Sequence, residues 1–250
     1  MSIPQPVILL IPGAWHQAEC WESVSTLLQD QKYPVVSVTL PSAGGPTSST
    51  IADDAAYIRS KYLDVLVDQG HEVIIVMHSY GGIPGTESVK GRARKDVVAQ
   101  GKSGGVIALV YVTAFLIPAG QSLSETLPSD SPSLVNLSNG DATQPNDPRF
   151  HFYNDLDDET AAKCMDALVH HSLPSFVTPL TYEAYRDVPV SYLLCERDEA
   201  ILPAFQKQMA AFPGNGAVRT YTCMSGHSPM ISMPEKVVDV IQDTAAVVKA

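Results

Sequence analysis

Short apolar runs alternate with segments of helical pattern along most of this 250-residue chain, and this alternation is the strongest constraint on its fold. Strands that alternate with helices predict an α/β fold: a mostly parallel sheet of about six strands with helices on both faces. The predicted strands are 7–12, 34–40, 72–78, 105–113, 191–195 and 218–223, and the predicted helices are about 17–30, 49–68, 80–91 and from Pro234 onward.

Two stretches interrupt the alternation. Residues 92–104, which end in Gly-Lys-Ser-Gly-Gly, predict an extended connection. Residues 119–185 begin with a stretch rich in Ser, Pro and Asp and continue with a helical pattern around Asp158 to His171, whose start has the acidic first turn typical of a helix. We therefore expect a core formed by residues 1–118 and 186–250, with 119–185 as an insertion.

A candidate nucleophile lies in Met77-His78-Ser79-Tyr80-Gly81-Gly82, directly after the apolar run 73–76. A strand that ends in Ser-x-Gly-Gly and passes into a helix places the serine on a tight turn, with its hydroxyl above the sheet edge. The glycines leave room where the turning backbone passes close to the following helix. Ser79 is therefore the candidate, although Met77 replaces the first glycine of the usual G-x-S-x-G motif. The alternative is a serine that only begins a helix.

A serine hydroxyl needs a base to take its proton and a carboxylate to orient that base. Asp198 follows the strand 191–195, and carboxylates at the carboxyl end of a parallel strand point into the crevice where α/β proteins bind ligands. Asp198 is the candidate acid. Glu196 and Glu199 compete with it and are interpreted as solvated loop charges.

The candidate base is His227, which lies on the loop Met224-Ser225-Gly226-His227-Ser228-Pro229 after the last predicted strand. A histidine on such a loop can reach over the sheet edge toward Ser79. It also completes the chain order serine, acid, histidine. The remaining histidines are interpreted as surface or core residues: His16, His71, His78, His151, His170 and His171.

The first predicted strand ends in Pro12-Gly13-Ala14-Trp15-His16. Acyl transfer creates a negatively charged oxygen that two N–H donors must stabilise. One donor comes from the residue after the nucleophile, here Tyr80, and the other from the loop after the first central strand, here Ala14. The alternative for this loop is an ordinary strand-to-helix turn.

These segments together resemble the α/β-hydrolase superfamily, and within it the small plant methylesterase and hydroxynitrile lyase group and its microbial esterase-like relatives. The resemblance covers nearly the whole chain. It departs at Pro12, where the family usually has the histidine of a His-Gly pair, and at Met77. The matching stretches are LLIPGAWHQAECW at 9–21, VMHSYGG at 76–82, LVYVTAFLIPAG at 109–120, VPVSYLLCERD at 188–198 and SGHSPM at 225–230.

The resemblance implies that residues 119–185 form a helical cap over the nucleophile and define an apolar substrate pocket. It also disfavours cyanohydrin cleavage, because the lyases carry a threonine at the position of Gly13 and a lysine at that of Ser228. Each pocket candidate has the alternative of a plain core residue. The candidates for the pocket are Gly13, Trp15, Phe115, Leu116, Phe150, Phe152, Tyr153, Phe176 and Tyr182.

The sequence thus predicts a serine hydrolase that cleaves a small-molecule ester or lactone through an acyl-enzyme, with no metal or organic cofactor. Two other classes stay open: a biosynthetic cyclase or lyase that uses the same crevice, and a ligand-binding protein that kept the hydrolase fold. An intact set of Ser79, Asp198 and His227 argues against a pure binding protein.

The net charge and the cysteine content limit which classes of binding partner and which cellular compartment we expect. The chain has 27 acidic and 16 basic side chains, for a formal net charge of -11, which repels nucleic acid and anionic membranes. The four cysteines show no CxxC spacing, so no disulfide framework is predicted. Without a basic segment and long apolar run at its start, the chain is expected to be soluble and cytoplasmic. A homodimer is left open.

Overall fold

The structure is a computed structural model that describes residues 5–128, 133–138, 140–214 and 216–249. Its strands are β1 Val7–Ile11, β2 Val35–Ser37, β3 Glu72–Ser79, β4 Gly105–Ala114, β5 Val135–Leu137, β6 Ala142–Pro145, β7 His171–Ser172, β8 Val190–Cys195 and β9 Val218–Cys223. Its α-helices are α1 Glu22–Asp30, α2 Ile51–Ile58, α3 Asp64–Asp68, α4 Gly82–Ser88, α5 Arg94–Ala99, α6 Leu123–Thr126, α7 Pro148–His151, α8 Asp158–Asp166, α9 Pro174–Val177, α10 Pro203–Ala211, α11 Pro229–Ser232 and α12 Pro234–Lys249.

Six strands form one sheet in the order β2-β1-β3-β4-β8-β9, and every pairing in it is parallel. The predicted α/β architecture is therefore confirmed. Strand β3 lies near the centre, between β1 and β4, so its carboxyl end is flanked by the ends of both neighbours. Because parallel strands point the same way, the loops after β1, β3, β8 and β9 all emerge at one edge of the sheet.

The two faces of the sheet are covered by different elements. Side chains at alternate positions of β1 and β3 point to opposite faces, as the period of a strand requires. On one face Ile8 and Ile74 pack with Trp21 and Ile241, which places α12 and the segment before α1 there. On the other face Leu9 packs with residues of α2, α4 and the segment between β4 and β8.

Helices differ in detail from their predicted ranges. The first begins as a 3-10 turn, Ala18–Trp21, and the second has a π-helical turn, Arg59–Leu63, between α2 and α3. The prediction of an extended connection over 92–104 was wrong, because α5 lies within it. Burial of Val97 and a bridge from Ala93 to Val106 of β4 anchor this segment, and such tertiary contacts are not visible in the local sequence.

The segment between β4 and β8 contains α6 to α9 and a second, antiparallel sheet in the order β5-β6-β7. The helical pattern predicted to reach His171 ends earlier, because α8 stops at Asp166. His171 instead pairs with Thr143 of β6 and bridges to Ala43. Long-range pairing therefore decides the conformation here. Among the described residues, no helix combines the length and apolar character needed to cross a bilayer.

Candidate active site

Ser79 ends β3 in a left-handed backbone conformation with φ of +50°, which residues other than glycine rarely adopt. The pairing with β4 shifts register between His78 and Ser79, so the chain leaves the sheet at this residue. The turn is also tightly enclosed: a Cβ added at Gly81 would lie 2.4 Å from the carbonyl oxygen of Pro12. Gly13 is equally close, since its added Cβ would lie 2.8 Å from the Cβ of Ser79.

Met77 replaces the usual first glycine of the turn, and the structure shows where its side chain fits. Met77 is fully buried in β3, and a Cβ at Gly85 of α4 would lie 2.5 Å from its sulfur. Space for the methionine is thus provided by a glycine in the following helix. The sequence departure is accommodated without loss of the left-handed turn at Ser79.

His227 lies between the serine and the acid. Its Nε2 is 3.0 Å from Ser79 Oγ, and its Nδ1 is 2.8 Å from Asp198 Oδ2. Because a carboxylate only accepts, Nδ1 carries the proton, and Nε2 is left with the lone pair that faces the serine hydroxyl. The structure therefore brings Ser79 together with His227, 148 positions later in the chain, and His227 together with Asp198.

Asp198 is only 2% exposed, and its carboxylate is nevertheless well satisfied. The backbone N–H groups of Ala200 and Ile201 both donate to its Oδ1 at 2.8 Å. Besides His227, the side chains of Thr113 and Gln206 donate to its Oδ2. With this many donors, the carboxylate keeps its hydrogen bonds in spite of burial and is held in a fixed orientation.

Sequence reasoning missed Thr113 and Gln206. Thr113 lies in β4 with φ of +36°, beside the register shift opposite Ser79, and its hydroxyl reaches across to the acid. The available signal was a polar residue within the otherwise apolar run of β4. Gln206 is buried on α10, and it also accepts from the Cys195 N–H at 2.9 Å.

The competing acids lie elsewhere. Glu196 forms an ion pair with Lys207 at 3.1 Å near the surface. The carbonyl oxygen of Glu199 is 3.0 Å from Nδ1 of His151. Of the three acidic residues on this loop, Asp198 is the one that contacts His227.

His78, interpreted from the sequence as a surface or core residue, contacts the candidate base. Its Nε2 donates to the carbonyl oxygen of His227 at 2.7 Å, and the two rings are 4.7 Å apart. Burial lowers the pKa of His78 well below its ordinary value, and the nearby His227 adds to this effect. His78 is thus a neutral donor that fixes the backbone of the histidine loop, residues 224–229.

The backbone N–H groups of Ala14 and Tyr80 flank Ser79 in buried positions, and neither has a hydrogen-bond partner in the part of the chain that the structure describes. Both residues line the same cavity as the serine. Unpaired N–H groups beside a nucleophile are the donors that a developing oxyanion requires.

The side chain of Tyr80 is anchored behind this position. Its hydroxyl donates to Asp54 Oδ2 at 2.8 Å, and Asp54 also accepts from the N–H and hydroxyl of Ser42. Burial raises the pKa of Asp54 to about 6, although these hydrogen bonds oppose that effect. The network ties α2 to the turn that carries the candidate nucleophile, and no local pattern in the sequence predicts it.

A cavity of about 220 Å³ opens in front of Ser79, and apolar side chains dominate its lining. Of the predicted pocket residues, Trp15, Phe115, Phe152 and Phe176 line it. Leu123, Leu127, Leu134 and Val135 also line it and were not predicted.

The other predicted pocket residues lie elsewhere. Tyr153 lines a separate cavity of about 330 Å³ and contacts Nε2 of His16 through its hydroxyl. Gly13 lies under the serine, where the tight approach of its backbone leaves no room for a side chain. Leu116 is buried in the core, Phe150 is half exposed, and the hydroxyl of Tyr182 donates to Asp187. Aromatic character alone did not distinguish pocket residues from these.

A short stretch of the segment between β4 and β8, residues 151–155, contacts the loops that carry the candidate base and acid. Asp155 Oδ2 accepts from the N–H of Gly226 at 2.7 Å, next to His227. Asn154 donates to the carbonyl oxygen of Arg197 at 2.8 Å, next to Asp198. The segment between β4 and β8 is therefore hydrogen-bonded to the loops that carry the candidate base and acid. In the described part of the chain, no group of three or more His, Cys, Asp or Glu side chains is arranged to bind a metal.

The chain is similar to known proteins over nearly its whole length. Alpha/beta hydrolase nvfD of Aspergillus novofumigatus is 33% identical over 249 residues, covering 96% of this chain and 97% of that protein. Pyrethroid hydrolase of Sphingobium wenxiniae is 28% identical, and the match covers 95% of this chain and 87% of that protein. An extracellular alpha/beta-hydrolase from a Paenibacillus species has the same fold, with a TM-score of 0.78 and 18% identity. The match covers 96% of this chain and 98% of that one. The model of the alpha/beta hydrolase family matches residues 8–240, and the chain belongs to that family.

Proposed function

We propose that this protein is a serine hydrolase that cleaves a small-molecule ester or lactone through an acyl-enzyme. The observation that carries the proposal is the continuous chain of contacts from Ser79 Oγ to His227 and from His227 to Asp198, with Ser79 in a left-handed turn. Membership of the alpha/beta hydrolase family supports hydrolytic chemistry. Names of relatives such as pyrethroid hydrolase and methylesterase favour an ester.

In the first half-reaction, Ser79 Oγ attacks the carbonyl carbon while its proton passes to His227 Nε2. Asp198 stabilises the imidazolium that forms, and the N–H groups of Ala14 and Tyr80 stabilise the oxyanion. When the tetrahedral intermediate collapses, the bond to the alcohol breaks and the leaving oxygen takes the proton from His227. Water then attacks the acyl-enzyme with His227 as base, which releases the acid and restores the serine.

The cavity supports a neutral, apolar substrate. Beyond the backbone donors and Ser79, its only polar side chains among the described lining residues are the hydroxyls of Tyr80 and Ser133 and the indole N–H of Trp15. Tyr80 donates to Asp54, and the indole donates to Thr143. A charged group placed in this cavity would lose its hydration and would find no charged partner among these groups. We propose that residues 119–185, which supply Leu123, Leu127 and Phe152, act as the cap of this cavity.

The test compares the wild type with Ser79→Ala on p-nitrophenyl acetate and butyrate, with Ser60→Ala as the control because Ser60 is an exposed serine on the π-helical turn. We expect hydrolysis by the wild type and by the control, and loss of at least about 10³-fold in kcat for Ser79→Ala. A fluorophosphonate should label Ser79 in the intact protein. Labelling at another residue, or hydrolysis that survives Ser79→Ala, would refute the proposal. Serine labelling without turnover of any ester would favour a cyclase or lyase.

A further inference from the structure

The peptide group between Ala14 and Trp15 is held from both sides by histidines. The Ala14 carbonyl oxygen accepts from Nδ1 of His16 at 2.7 Å. The Trp15 N–H donates to Nδ1 of His171 at 3.3 Å. Trp15 itself has φ of +63°, a conformation that a bulky side chain rarely adopts. Such a conformation persists only where surrounding contacts enforce it.

The partners of each ring nitrogen fix the two tautomers. A carbonyl oxygen only accepts, so His16 is protonated on Nδ1 and its Nε2 accepts from the Tyr153 hydroxyl at 2.9 Å. A backbone N–H only donates, so Nδ1 of His171 carries a lone pair and its proton is on Nε2. Burial lowers the pKa of His16 to about 4 and that of His171 to about 3, so both rings are neutral at pH 7.

His171 reaches the loop from β7, 156 positions away along the chain. Its ring stacks on Phe176 with 4.9 Å between centroids and contacts the edge of Tyr80 at 4.8 Å. Its Nε2 is buried without a hydrogen-bond partner in the described residues. A phenylalanine would make the same ring contacts without leaving a buried N–H unpaired, and an unpaired buried N–H is destabilising. The histidine is therefore a local disadvantage, and a role for its Nδ1 offsets that disadvantage.

We propose that His171 is a positioning residue for the oxyanion loop, residues 12–16. By accepting the Trp15 N–H, it holds Trp15 in the left-handed conformation and so directs the Ala14 N–H toward Ser79. This inference rests on the proposed function, because the direction of the Ala14 N–H matters only where an oxyanion forms. Loss of an oxyanion donor costs about 10²- to 10³-fold in kcat, and a misdirected donor is expected to cost about 10- to 100-fold.

Two substitutions separate this role from a packing role. His171→Phe keeps the ring and removes the acceptor, whereas His171→Asn keeps an acceptor oxygen near the position of Nδ1 and removes the ring. We expect kcat of the Phe variant to fall about 10- to 100-fold with KM changed less than about 3-fold. The Asn variant should have the lower Tm and the higher kcat of the two. Activity that follows Tm across both variants would overturn the inference.

A matched control is His170→Phe, the same change one residue earlier, at a ring that contacts the Gly45 carbonyl oxygen rather than the oxyanion loop. Its kcat should stay within about 3-fold of the wild type. A fall as large as that of His171→Phe would overturn the inference, because it would show that loss of a ring nitrogen at either of these neighbouring positions suffices.

The rate of fluorophosphonate labelling at Ser79 distinguishes the two proposals, because it reports the nucleophile and the oxyanion donors without any ester substrate. Slower labelling of His171→Phe than of the wild type supports the inference. Equal rates overturn the inference and leave the proposed function intact. If the wild type is not labelled at Ser79, the proposed function fails and the inference fails with it.

Discussion

Mild acid is expected to destabilise this protein through its buried neutral histidines. In the unfolded chain His16 and His171 bind protons below their ordinary pKa of 6.5, whereas burial in the folded protein lowers these pKa values to about 4 and about 3. Between pH 6.5 and pH 4 the unfolded state therefore binds more protons than the native state. Stability then rises with pH, so the free energy of unfolding falls as the solution is acidified through this window.

The size of the effect follows from the same values. At pH 5 each histidine is about one and a half pH units below 6.5, which corresponds to about 2 kcal/mol per residue and about 4 kcal/mol for the pair. Asp54 acts in the opposite direction, because burial raises its pKa to about 6 and the native state takes up its proton first. Its share at pH 5 is about 1 kcal/mol.

The expected net loss between pH 7 and pH 5 is thus about 3 kcal/mol, and His78, whose pKa burial also lowers, adds to it. The assay is urea unfolding followed by circular dichroism at both pH values and constant ionic strength. In His171→Phe the loss should shrink by about 2 kcal/mol, since that variant has no proton to take up on unfolding at this position. Equal stability of the wild type at the two pH values, or an unchanged loss in the variant, would refute the reasoning.

Three further substitutions test the candidate site. Asp198→Asn should lower kcat by about 10³- to 10⁴-fold while the protein stays folded, because an amide no longer selects the correct tautomer of the base. Kinetics measure the fall in kcat and a circular dichroism spectrum checks the fold; activity within tenfold of the wild type would contradict the prediction. Thr113→Val removes one hydrogen bond to the buried Asp198 carboxylate, so we expect the free energy of unfolding to fall by about 1.5–3 kcal/mol and kcat to fall about tenfold. Unchanged values in urea unfolding and in kinetics would show that the hydroxyl is dispensable. Gly81→Ala places a methyl group 2.4 Å from the Pro12 carbonyl oxygen and should lower Tm by several degrees; an unshifted thermal melt would mean that the turn yields more easily than its contacts suggest.

The site residues nominated from sequence share a local signal. Ser79, Asp198 and His227 each follow a predicted strand, and parallel strands bring their carboxyl ends to one edge, so the pattern and the chain order together placed all three at the same point. This reasoning works because strand ends can be located from short apolar runs without knowledge of tertiary contacts.

His171 and Thr113 could not be found in that way. The segment around His171 has a helical pattern locally, and only its pairing with Thr143 of β6 makes it a strand. The hydroxyl of Thr113 reaches Asp198 because a register shift in β4 opposite Ser79 turns its backbone out of the regular strand. Both contacts depend on partners that are dozens of positions away, and no local pattern contains that information.

In the proposed function, the segment between β4 and β8 has two physically separate tasks. Its residues Asp155 and His171 hydrogen-bond to the histidine loop and the oxyanion loop, so they help to align the groups that would react. Leu123, Leu127 and Val135 line the cavity in which the substrate would lie. Displacement of the whole segment would break the first set of bonds together with the second set of contacts. It follows that a cap which opened as one body would disassemble the catalytic alignment, and that substrate preference can vary at the leucines and valine while Asp155 and His171 keep the reacting groups in place.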